Sequence, residues 1–164
     1  MKLDVDIITK YPKTNIDEYF MGKALNEAKK CFETDDVPVG ALIVKDGIII
    51  SIAHNERNKN MMVTDHAEVL AIRKACKKLN RWILDDCILY VTVEPCFMCS
   101  STILQARIKK VVFGCFEPKT GCAGSTYNCL NNEQLKSKVE ITPSILDNES
   151  RILLQYFFRN LRKK

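Results

Sequence analysis

The 164-residue sequence contains no apolar stretch long enough to cross a bilayer. Its longest run, Gly47 to Ala53, is broken by Ser51 and falls well short of the ~20 residues that a spanning helix needs. No membrane association is therefore expected. The chain also lacks an internal repeat, a low-complexity tract and a linker rich in Pro, Gly or Ser, so one domain over residues 1–164 is expected. Asp4 and Asp6 fall where a secretory signal would need an unbroken apolar segment, which makes a cytoplasmic protein the expectation. Histidine is scarce, with only His54 and His66. Apolar residues are not: at 46% hydrophobic content the chain can bury a substantial core.

Cysteine is abundant. Eight thiols in a reducing compartment read as free thiols or metal ligands before they read as disulfides. Only Cys96 and Cys99 have ligand spacing. Cys115, Cys122 and Cys129 recur every seven residues, but Gly114, Pro118, Gly121 and Gly124 exclude one continuous helix there, so the period carries no stripe. The formal charge of +5 is compatible with a nucleic-acid partner without requiring one. Cations gather at Arg73, Lys74, Lys77 and Lys78, at Lys109 and Lys110, and in the tail Arg159, Arg162, Lys163 and Lys164. Each run taken alone reads equally as a solvated helix face or chain end.

Asn15 followed by Glu18 is a capping signal, and Ile16, Tyr19, Phe20, Ala24, Ala28 and Phe32 repeat at helical spacing, predicting a helix over roughly 15–33. Apolar runs 39–45 and 48–53 flank Asp46-Gly47, a hairpin-turn dipeptide, and predict two antiparallel strands. Ala67, Leu70, Ala71, Ala75 and Leu79 share a face and predict a helix over 65–79. A strand at 87–93, a helix following Pro95 to about Arg107, a strand at 110–115 and a closing amphipathic helix through Ile145, Ile152, Leu153, Tyr156, Phe157 and Leu161 follow. Strands alternating with helices after residue 48 predict parallel crossovers. The expected fold is a three-layer α/β/α sandwich whose mixed sheet of about five strands carries an antiparallel N-terminal hairpin.

The chemistry concentrates in His66-Ala67-Glu68 and Pro95-Cys96-Phe97-Met98-Cys99. One imidazole and two thiolates are three ligands, one short of the four that close a structural zinc site, leaving a position for water. Zinc would lower the pKa of that water from ~15.7 to about 7, and Glu68 would move the protons. Residues 66 and 68 converge on one point only at the start of a helix; Cys96 and Cys99, at i and i+3, share a face. Two helix N-termini would then favour thiolates. Other readings exist for each part. Asp65 and Glu68 fit a capping box, and a lone Cys-x-x-Cys also suits a redox pair or half of a structural zinc knuckle. The whole set, His-x-Glu ahead of Pro-Cys-x-x-Cys, is the signature of zinc-dependent nucleobase deaminases.

Further segments extend the match: Asp36-Val37-Pro38-Val39-Gly40-Ala41, Ala53-His54-Asn55, Leu89 through Cys96, Arg107-Ile108 with Val111-Val112-Phe113-Gly114, Lys119-Thr120-Gly121 with Gly124-Ser125, and Phe157-Phe158-Arg159. On these residues the sequence resembles, over nearly its full length, the bacterial tRNA-specific adenosine deaminases, members of the cytidine deaminase superfamily. The resemblance implies a cytidine-deaminase-like fold and hydrolysis of the wobble adenosine of a tRNA anticodon to inosine. It implies one Zn2+ per chain on His66, Cys96 and Cys99, with Glu68 as general acid and base. It further implies that Asn55 contacts the flipped nucleoside, that Val37, Pro38 and Val39 line the base pocket, and that the last helix lies along the anticodon stem-loop. Phe157, Phe158, Arg159, Arg162 and Lys163 are the candidate RNA contacts, and a homodimer is implied as well. Ser100-Ser101, Asp65 and Glu117 depart from the family's usual residues. A deaminase of free nucleotides or nucleobases would share the zinc site but would not need the basic last helix or Asn55. A non-catalytic zinc-stabilised binding module would need a fourth protein ligand.

Overall fold

The structure, a computed structural model, describes residues 15–163. Its first element is helix α1, Ile16–Ala28, opened by Asn15, whose side chain accepts the Glu18 N–H at 3.3 Å. The periodicity that predicted a helix to residue 33 is kept, but its last five residues, Lys29–Glu33, tighten into a 3-10 turn. Strands β1, Gly40–Lys45, and β2, Ile48–His54, form the expected hairpin. Asp46 and Gly47 both adopt positive φ, 49° and 73°, the twist that joins antiparallel strands closely. A short helix α2, Arg57–Asn60, precedes α3, Ala67–Leu79, which stops at Asn80 in the left-handed conformation. Then come β3, Ile88–Val93; α4, Phe97–Gln105; and β4, Lys110–Cys115. The remaining elements are β5, Asn131–Asn132; β6, Ser137–Lys138; β7, Glu140–Thr142; and α5, Asp147–Leu161.

The main sheet runs β2-β1-β3-β4-β7, with β1 antiparallel to both β2 and β3 and with β3, β4 and β7 parallel. Side-chain alternation divides the core in two. Ala41, Ile43, Leu89, Val91, Val111 and Phe113 point toward α3 and α4, while Leu42, Val44, Tyr90 and Val112 point toward α1 and α5. The three-layer sandwich is thus present. Its fifth strand, β7, carries only Glu-Ile-Thr and is too short to leave a hydrophobic period in the sequence. Cys115 ends β4, whereas Cys122 and Cys129 lie in the loop beyond it, so their seven-residue spacing marks no helix.

One glycine fixes the upper layer. A Cβ on Gly40 would collide with the Ala24 carbonyl oxygen and the Ala28 nitrogen, so α1 crosses β1 at backbone contact. Among the described residues no helix is long and apolar enough to cross a membrane.

Candidate active site

Parallel strands end where their following helices begin, and this edge gathers backbone N–H groups and side chains from different loops. His66 stands at the N-cap of α3 in extended conformation, φ −73° and ψ 151°. Cys96 occupies the same position on α4, with φ −77° and ψ 178°, and Cys99 lies in that helix's first turn. The three meet. His66 Nδ1 is 3.7 Å from Cys96 Sγ and 3.5 Å from Cys99 Sγ, and all three donor atoms lie within 4.8 Å of one another. Tetrahedral donors at the ordinary Zn–N and Zn–S bond lengths stand roughly 3.6 Å apart, so the residues fit a zinc ion.

The charges of the donor set agree with that fit. The Cys96 thiol is drawn down to about 4, chiefly by its hydrogen bond with Cys99 and then by His66, against the effect of burial. The Cys99 thiol is pushed up by the neighbouring Cys96 sulfur, by burial and by Glu68. A second anion beside the first is unfavourable without a cation between them, and three donors of this kind are what a divalent metal completes.

Glu68 sits in the first turn of α3 and is 4% exposed. Burial pushes its carboxyl up to about 7; the Cys96 charge adds to this, while its own backbone N–H, His66 and a hydrogen bond with Cys99 oppose it. A carboxyl that exchanges protons near neutrality is suited to acid and base roles in turn. The expectation that Asp65 caps this helix fails. His66 takes the cap position, and the Asp65 carboxylate instead accepts the Asn60 side-chain N–H at 2.8 Å and faces Arg73 at 3.4 Å. With Asp65 displaced by one residue, the capping-box explanation of Glu68 falls as well.

His66, Glu68 and Cys96 line a cavity of about 210 Å³ walled also by Val37, Val39, Asn55, Glu117 and Phe158. Pro38 is buried between the two valines and is not part of the wall. Asn55, 6% exposed, is held by a bond from its side-chain Nδ2 to the Val37 carbonyl, 3.2 Å, and from its backbone N–H to the Val39 carbonyl, 3.0 Å. Its Oδ1 is buried with no protein donor, an acceptor available to a ligand. The other histidine, His54, pairs with Glu27 at 2.8 Å and takes no part in the metal-ligand cluster.

The candidate RNA residues separate. Phe158 lines the cavity, and Arg159 and Arg162 line an adjoining groove of about 530 Å³ with Phe116, Pro118 and Arg151. Lys163 is exposed and outside that groove, and Lys164 lies outside the described residues. Phe157 is a correction: it is 5% exposed and packs on Phe32 with ring centroids 6.2 Å apart, because its position on α5 faces the core. Three wall residues were not singled out in the sequence: Arg57 and Asn58 belong to the short helix α2, which carries no local motif, and Leu154 reads as an ordinary apolar position of an amphipathic helix.

Residues 14–162 match the family model of the MafB19-like deaminases. The chain is 45% identical to the tRNA-specific adenosine deaminase of Bacillus subtilis (strain 168), over 90% of this chain and 92% of that protein. It is 46% identical to that of Aquifex aeolicus (strain VF5), over 88% and 95%. A solved structure from a study of A-to-I editing by deaminases at the wobble position of transfer RNA superposes with a TM-score of 0.80 at 36% identity, covering 83% of this chain and 99% of its own.

Proposed function

The chain belongs to the tRNA-specific adenosine deaminase family, and on that premise we propose that it binds one zinc ion and converts the wobble adenosine of a tRNA anticodon to inosine. The observation that carries the proposal is the His66, Cys96 and Cys99 donor triad beside a buried glutamate at the wall of one cavity. Zinc held by these three residues would supply a Lewis acid that makes water available as hydroxide near neutral pH.

The chain's own groups do the rest. A stacked base cannot offer its amine-bearing carbon to the cavity, so the substrate nucleotide must enter splayed out, as a loop nucleotide can. Asn55 Oδ1 is the acceptor that would orient it, and Val37 and Val39 would flank its rings. Glu68 takes a proton as water adds to that carbon and passes it to the adjacent ring nitrogen; it then takes the proton of the newly added hydroxyl and delivers it to the amine, which leaves as the carbon–nitrogen bond breaks, so that adenosine and water become inosine and ammonia. Its carboxyl near 7 suits both directions of transfer.

Phe158 at the cavity and Arg159 and Arg162 in the adjoining groove support an RNA substrate: an aromatic face stacks on a base, while guanidinium groups meet phosphates. The substrate is a cytoplasmic RNA, which is the compartment this reading assigns. A homodimer accompanies the reading, supported by family membership. Incubation with a panel of tRNAs, free adenosine and free nucleobases, with products read by mass spectrometry, tests the function. Inosine at the anticodon wobble position alone is expected; turnover of a free base with none of the tRNAs would overturn it.

A further inference from the structure

The loop between β4 and β5, residues 116–130, contains neither strand nor helix, yet it supplies Glu117 and Thr120 to the cavity wall. Its order has an identifiable source. Glu94, at the end of β3 and 3% exposed, turns its carboxylate into this loop. Oε1 accepts the backbone N–H groups of Ala123 at 2.9 Å and Ser125 at 3.0 Å, and Oε2 accepts that of Glu117 at 3.0 Å. A buried carboxylate is costly unless charge-assisted bonds satisfy it, and here three amides from one loop do so.

The loop is wound tightly onto that carboxylate. A Cβ on Gly121 would strike Glu94 Oε2, Ser125 Oγ and the Glu117 carbonyl oxygen, so no larger residue fits at the centre of the turn. The chain beneath also holds the loop: the Pro95 carbonyl accepts the Cys122 N–H at 2.9 Å, Phe97 packs on Tyr127 with ring centroids 5.2 Å apart, and Ala123 and Leu130 enter the core. At 117, 123 and 125 the backbone N–H groups find their acceptor in Glu94, while the Ser125 hydroxyl donates to the Glu117 carbonyl at 2.9 Å.

We propose that Glu94 is a positioning residue for substrate recognition: its carboxylate gathers three amides of the 117–125 segment and so holds Glu117 and Thr120 in the wall of the deaminase cavity. The inference rests on the deaminase reading for its consequence but not for its geometry. Each carboxylate oxygen faces at least one N–H donor, so Glu94→Gln sets an NH2 group against a backbone N–H whichever way the amide turns. Donor then meets donor, and the loop loosens. The metal ligands are untouched.

The test compares the wild-type protein with Glu94→Gln and, separately, Gly121→Ala, which keeps the carboxylate but crowds it. Amide hydrogen exchange, bound zinc per chain, and kcat and KM on an anticodon stem-loop are measured for each. Both variants should exchange the amides of residues 117–125 about tenfold faster. KM should rise by about tenfold with kcat within about twofold and zinc content unchanged. Unchanged exchange and KM in both variants would overturn the proposal, as would a fall in kcat alone or a loss of zinc with the loop amides still protected. If Glu94→Gln does not fold, Gly121→Ala decides by the same measures. A wild-type protein that deaminates no tRNA sinks the functional reading instead, and the exchange comparison still decides whether Glu94 orders the loop.

Discussion

A glutamate at residue 68 could serve a helix end or a reaction, and its surroundings separate the two. It lies one position too early for a capping box on α3, whose cap is His66, and burial lifts its carboxyl to about 7. Glu68→Gln preserves size and should keep zinc content and fold near normal while deamination falls by at least ~100-fold, the contribution expected of a positioned acid and base. Activity retained in that variant would return Glu68 to a structural role. Asn55 is placed for a different part of the process. Its Oδ1 reaches no protein donor, so Asn55→Ala should slow single-turnover conversion far more than it weakens overall tRNA binding, because backbone phosphate contacts supply most of the affinity. Equal losses in both measurements would mean that Asn55 only shapes the cavity.

Helix α5 divides its residues by face. Leu153 and Phe157 enter the core, while Phe158 lies at the cavity and Arg159 and Arg162 line the groove beside it. If those two arginines meet phosphates, Arg159→Ala and Arg162→Ala should each weaken binding to a similar extent across tRNA sequences. Each should also reduce the slope of log affinity against log salt by roughly 0.7 to 0.9. Titrations at several salt concentrations read this directly, and an unchanged slope would make the helix end a solvated one. Between α3 and β3, Asp86 pairs with Lys45 of β1 at 2.7 Å and with Arg81 of its own loop. The Lys45 hydrogen bond, and after it that of Arg81, hold the exposed Asp86 carboxyl well below its usual range against a partial desolvation. A carboxyl lowered in the folded state contributes stability above its unfolded value of about 3.9 and loses it as pH falls toward the folded value. Urea midpoints should therefore drop more steeply below about pH 4 in the wild type than in Asp86→Asn; parallel curves would show that the pair is screened.

At the scale of the whole molecule, the proposed zinc ties α3 to α4 through ligands on both helices. Metal analysis should find about one zinc per chain, and chelation should abolish deamination and lower Tm, because an ion bound to the folded state stabilises that state. Sedimentation at working concentrations should give a dimer, and a monomer alone would remove that part of the reading. Helices α1, α3, α4 and α5 and strands β1 to β4 were legible because their side chains repeat at 3.6 or 2 residues over long enough stretches to set a face, whereas the single turn of α2 was not. The metal donors and Glu68 were legible because their chemistry demands particular residue types at particular spacings. Strand β7 was not, since three residues hold no period, and Phe157 was misread because two adjacent phenylalanines share a motif while only one faces outward. Sequence by itself determined the elements and the reactive set. Only the tertiary structure decided that His66 and not Asp65 begins α3, that Leu154 and Thr120 reach the same cavity, and that Glu94 serves a loop more than twenty residues away. Those assignments depend on burial and on contacts between distant segments, and local sequence encodes neither.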